Sequence, residues 1–124
     1  MDELIRGQRY SRDEIAAHFG GSAIEYLPTV KGRVVCACLR PDLNPDAPQV
    51  ILVGRGPIIE GSADLLCEQR DLIPVFIKQR TNEWELVGHY AVERCSQAAE
   101  EIVRHQTAAG RDDVTRVIYL RESA

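Results

Sequence analysis

The sequence predicts an α+β domain: about five or six strands and three flanking helices, built as a strongly bent sheet or a small β-barrel. Three observations predict it. Short runs of branched apolar residues recur along the chain, three segments carry helix-end signals, and the strands are joined by long or turn-rich connections. The 124 residues fit one domain, 1–124, and a hydrophobic content of 44 % is enough for a real core.

The first helix is written in YSRDEIAAHFGG. Ser11 stands at the N-cap with Glu14 three residues on, which makes a capping box, and Tyr10 with Ile15 supplies the hydrophobic staple. Gly20 stops the helix. Two apolar runs follow, Arg33–Leu39 and Gln49–Val53, which read as a buried strand pair. Between them RPDLNPDAP, with three prolines and two aspartates, is a loop. From Ile59 the apolar positions Ile59, Ala63, Leu66 and Cys67 take helical spacing to about Arg70. LIPVFIK is a strand whose proline indicates an edge or an entry position, and Trp84, Leu86, Gly88, Tyr90 and Val92 alternate onto one face. Ile73–Glu93 is therefore a hairpin. A third helix, capped by Ser96 and stopped by Gly110, has a weakly apolar face and belongs on the outside; DVTRVIYL closes the fold as a strand.

With 15 basic and 19 acidic residues the net charge is -4, which argues against a broadly basic nucleic-acid binder but leaves room for a local basic pocket. No apolar run approaches the ~20 residues of a membrane span. The start, Met1-Asp2-Glu3-Leu4, lacks the basic and apolar regions of a signal peptide. Four cysteines without a C-x-x-C pair read as small buried thiols, hence reduced and cytoplasmic. His18, His89 and His105 have no ligand spacing, so neither metal nor cofactor is expected.

The stretch Gly54-Arg55-Gly56-Pro57 at a strand exit fits an anion cradle, a base-binding loop or a plain tight turn. It lacks the third glycine of a dinucleotide fingerprint and the Gly-Lys-[Ser/Thr] of a P-loop. The planar fork of Arg55 suits a phosphate or a guanine edge. Trp84 is a core anchor or a stacking platform, and the same choice applies to Tyr90 and to Tyr26, the latter in a loop-like segment.

The order YSRDEIAAHFGGS, ILVGRGPIIEGSADLL, IPVFIKQRTNEWELVGHYAV resembles the SRA-like (YDG-type) domains attached to bacterial HNH endonucleases. Tyr10, Arg12, Ile15, Phe19, Gly20, Gly21, Gly54, Gly56, Phe76, Trp84, Gly88 and Tyr90 carry the resemblance, from about Tyr10 to Val92. Leu52–Pro57 departs from the polar turn those domains have, and no HNH motif is present on this chain. The resemblance implies a PUA/SRA-like β-barrel or bent sheet that recognises modified bases in DNA, by flipping them into a pocket, with a nuclease domain or partner protein nearby. It makes Gly54, Arg55, Gly56, Tyr26, Trp84 and Tyr90 the candidate ligand-binding residues, and Lys31, Arg33, Lys78 and Arg80 the candidate phosphate contacts, solvated turn charge being the alternative for the last four. Two other readings stay open: a protein-interaction or regulatory domain without nucleic-acid binding, and a small nucleotide enzyme using Glu60 or Asp64 as acid or base.

Overall fold

The structure, a computed structural model, describes residues 3–123; Met1 and Asp2 of the N-terminal stretch read above lie outside that range. Three helices, α1 (Arg12–Phe19), α2 (Pro57–Glu68) and α3 (Ala99–Ala109), accompany eight strands. The strands are β1 (Arg9–Tyr10), β2 (Thr29–Val30), β3 (Arg33–Val34), β4 (Ala37–Leu39), β5 (Val50–Val53), β6 (Ile73–Arg80), β7 (Glu83–Ser96) and β8 (Arg116–Glu122). One sheet runs β4-β6-β7-β8-β5, with β1 added on β7, and β2 and β3 form a separate small hairpin.

Local signals built the expected pieces. Ser11 Oγ accepts the Glu14 amide and the Glu14 carboxylate accepts the Ser11 amide, so the capping box is made in both directions. β6 and β7 form the long hairpin through Thr81-Asn82, and all five alternating positions from Trp84 to Val92 point inward. Pro74 is the second residue of β6, which is an inner strand. It lies just before Val75–Ile77, the stretch that pairs with β4, so its missing amide costs no ladder bond there.

Other expectations are corrected. β4 and β5 are not a strand pair; they are the two outer edges of the main path. Nor does the sheet close into a barrel. The outward amides of β5 are already taken, Val50 by the Asp46 carbonyl and Leu52 by the Asn44 side chain at 2.8 Å, so β4 has no donors to join. The 40–48 loop thus caps the β5 edge. α2 starts two residues early, at Pro57, because proline suits the first helical position. Ser96 ends β7 rather than capping α3, whose N-cap is Ala98. As expected, α3 buries no residue completely. Two cysteines are not free thiols: Cys67 and Cys95 form a disulfide between α2 and β7, while Cys36 and Cys38 are buried and unbonded.

The main core lies between α2 and the sheet, around Leu39, Ile51, Val53, Leu66, Val75 and Ile118. A second core under α1 gathers Ile15, Phe76, Trp84 and Leu86, with Tyr10 and Phe19 against it. Residues that carried the family resemblance therefore meet in space under the first helix.

Candidate functional site

A cavity of about 640 Å³ opens between α1, the start of α2, the hairpin and both sheet edges. Its depth comes from sheet curvature: Cys38 of β4 and Leu52 of β5, at opposite edges of the path, line the same space.

Arg12, the first residue of α1, forms one side. A cation at the positive end of a helix is unfavourable by itself, and tertiary contacts explain it. Only 8 % exposed, Arg12 donates from Nη2 to the carbonyls of Ser22 at 3.2 Å and Glu25 at 2.6 Å. Its guanidinium carbon lies 5.1 Å from the centre of the Trp84 ring. Its Nε is buried with no partner. The Lys78 ammonium lies 5.7 Å from the same ring centre. Trp84 is therefore a core residue and a cavity wall at once.

The facing wall is the 23–26 segment and α2. The Tyr26 hydroxyl donates to the Ile59 carbonyl at 2.6 Å, tying the segment to the helix. Burial pushes this phenol up to about 12, because the phenolate would lose its water. Ile24 and Ile58 stand exposed at the mouth, at 88 % and 67 %.

The third wall answers the question posed by the two glycines. Gly54 is buried and lines the cavity; a Cβ there would lie 3.1 Å from Asp113 Oδ2 and 3.2 Å from Arg111 Nη2. Gly54 is small because that ion pair packs onto it. Arg111 forks onto Asp113 at 2.9 and 3.0 Å and also donates to the carbonyls of Leu43 and Leu52, clamping the 40–48 loop to β5. The fork holds the Asp113 carboxyl below its usual range. Gly56 serves a different need: its φ of 138° turns the chain into α2, and its amide donates to the Glu60 carboxylate at 2.9 Å. Arg55 between them is exposed and is not part of the lining.

Of the residues singled out in the sequence, the cavity brings together Gly54, Tyr26, Trp84 and Lys78. Tyr90 is buried in the main core and does not line the cavity, and Arg80 is exposed near the hairpin turn. Lys31 occupies the β2–β3 turn, and Arg33 pairs with Asp71 beyond the far end of α2, whose 12 residues span about 18 Å. Glu60 is committed to the α2 cap and Asp64 to Arg116 at 2.5 Å. Sequence reading gave no role to Arg40, Asn44 or Arg111, which arrive from distant segments. Arg12 was visible only as a motif position and as a cation misplaced at a helix start.

The cavity has its own charge balance. Arg40 is forked onto Asp42 and Arg111 onto Asp113, which leaves Arg12 and Lys78, both on the indole of Trp84, without a salt-bridged carboxylate among the described residues; Glu25 is the other carboxylate in the lining. Among the described residues no three His, Cys, Asp or Glu side chains converge as a metal site. No helix among them is long and apolar enough to cross a membrane.

A sequence profile for a domain of unknown function, DUF6697, matches residues 9–122. The chain belongs to the DUF6697 family. No curated protein matches it. This DUF6697 domain superposes on a solved structure described as the sulfur binding domain and SRA domain of ScoMcrA complexed with phosphorothioated DNA. The TM-score is 0.54 and the identity 13 %, over 95 % of this chain and 39 % of that one. A second structure, of the type IV phosphorothioation-dependent restriction endonuclease ScoMcrA, gives a TM-score of 0.54 at 14 % identity over 95 % of this chain and 27 % of that one. The DUF6697 domain thus has the SRA-like fold that its motifs implied, spanning well under half the length of either neighbour. The sheet, however, is open.

Proposed function

We propose that this DUF6697 domain is a DNA-binding module that recognises a modified base by taking it, flipped out of the duplex, into the cavity beside Trp84. The observation that carries the proposal is the pairing of that indole with two cations that make no salt bridge among the described residues, inside an SRA-like fold. Extruding a base costs a few kcal/mol of stacking and pairing, which a pocket must offset with aromatic contact and edge hydrogen bonds. Trp84, Tyr26 and the buried surface around Gly54 supply the walls. The apolar mouth at Ile24 and Ile58 suits the unstacked neighbours of an extruded base.

Arg55 and Arg80, exposed around this face, are the phosphate contacts in this reading. Lys31 and Arg33, at the other end of α2, are assigned to a more distant stretch of backbone or to solvent. The low net charge then matters less than where the cations stand. By analogy with the larger neighbours, the domain would deliver a nuclease carried elsewhere in a polypeptide, or by a partner, to marked DNA.

Binding to duplexes that differ only in one cytosine, unmodified or modified, measured at a fixed low salt concentration, tests the reading. A fluorescent base analogue beside the modified position reports extrusion by brightening. The expected result is tighter binding and a fluorescence rise with at least one modification. Equal, weak affinity across the set with a silent reporter would refute it.

A further inference from the structure

We propose that the base taken into this cavity carries a negatively charged substituent, of the carboxylate class, which Lys78 recognises against the face of Trp84. The inference rests on the reading of the cavity as a base pocket and concerns what that pocket selects. A volume of about 640 Å³ lies within the range of sites for drug-sized ligands and leaves room for a substituent beyond a pyrimidine ring.

The charges point to its sign. Two of the four cations in the lining are already neutralised by forks to Asp42 and Asp113. Arg12 is occupied by two backbone carbonyls, is buried, and supplies fixed positive charge with no salt bridge among the described residues. Lys78 makes no ion pair among the described residues and is half-buried over the indole; the Asp42 carboxylate, already forked by Arg40, feels its charge, and the ammonium keeps its hydrogen-bond donors for an anion. A carboxylate there would meet one mobile cation and one fixed, buried one. Glu25 opposes this from the other wall, and the same carboxylate would disfavour a substituent placed on its side. The sign preference is therefore directional: an anion is favoured toward the hairpin and disfavoured toward the 23–26 segment.

The experiment compares the intact chain and Lys78→Gln on three duplexes, identical except for one cytosine: unmodified, 5-methyl and 5-carboxyl. Fluorescence anisotropy at one salt concentration gives each Kd. The expected result is about tenfold tighter binding of the carboxyl duplex than of the methyl one, the worth of one charge-assisted hydrogen bond. Lys78→Gln should erase that difference and Lys78→Arg should keep most of it. Thermal unfolding of each variant confirms that the fold is retained. If the methyl duplex binds as tightly as the carboxyl one, and both better than the unmodified, the base-pocket reading stands and this inference falls. If Lys78→Gln weakens all three duplexes by one factor, the lysine contacts phosphate and the inference falls. No discrimination among the duplexes by the intact chain overturns both.

Discussion

Replacing Arg12 by methionine keeps the apolar stem and removes the guanidinium that joins α1, the 22–25 segment and Trp84. The two hydrogen bonds to Ser22 and Glu25 are from a charged donor, worth about 1.5–3 kcal/mol each in net terms. One nitrogen serves both carbonyls, so the low end applies, about 3 kcal/mol for the pair. The contact with the indole adds about 1 kcal/mol. Against this, the buried Nε has no partner, and its removal returns about 1–2 kcal/mol of desolvation. The net loss is about 2–3 kcal/mol. Urea unfolding of the wild type and of Arg12→Met measures it, with an unchanged m-value showing that the two transitions are comparable. Hydrogen exchange locates the effect. The amides of Ile24 and Glu25, bonded to Ser22 Oγ, should lose protection by more than the global change, because their segment has lost its anchor. A stability loss below about 0.5 kcal/mol, within the spread of ordinary surface substitutions, would refute the assignment of Arg12 as the wall's anchor. Unchanged relative protection at those amides would refute it equally.

Gly54→Ala should destabilise by about 1–3 kcal/mol, as overpacking does, because the new methyl meets the Arg111–Asp113 pair; an unchanged urea midpoint would mean the pair moves aside freely. Tyr26 bears on alkaline stability. Its folded value is about 12 against an ordinary 10.0, so the contribution is whole below pH 10 and is lost as pH rises through about 12, once the unfolded phenol ionises and the folded one does not. Tyr90 and Tyr119 are raised as well, so phenolate absorbance should show several late components, of which Tyr26→Phe removes the one near 12; the same variant should cost about 1 kcal/mol at neutral pH through loss of the bond to Ile59. Denatured without reductant, the chain should present two thiols to Ellman's reagent, and four after reduction. Four thiols without reductant would exclude the Cys67–Cys95 bond. In the native state Cys36 should stay unreactive, since it is buried and its bond to the Cys38 sulfur, with burial second, pushes its thiol up.

What could be read from the chain alone was whatever depends on near neighbours. Ser11 and Glu14 stand one helical turn apart, so the cap was visible and was found in both directions. The alternation from Trp84 to Val92 marked a strand face before any partner was known. The short motifs around Tyr10, Gly54 and Trp84, taken in order, led to the SRA-like fold. Tertiary structure decided everything that needed distant segments to meet. β4 and β5, adjacent along the chain and both apolar, lie at opposite edges, and the 40–48 loop occupies the outward β5 amides. The Gly-x-Gly stretch kept its place, yet its first glycine was set by an ion pair 57 and 59 residues further on, and its arginine turned outward. Arg12, Lys78, Trp84 and Arg111 form one cavity only because the sheet bends, and no spacing along the sequence encodes that convergence. Helix and strand periodicity reports which face of an element is buried, whereas a pocket is made where several such faces are brought together by chain crossings.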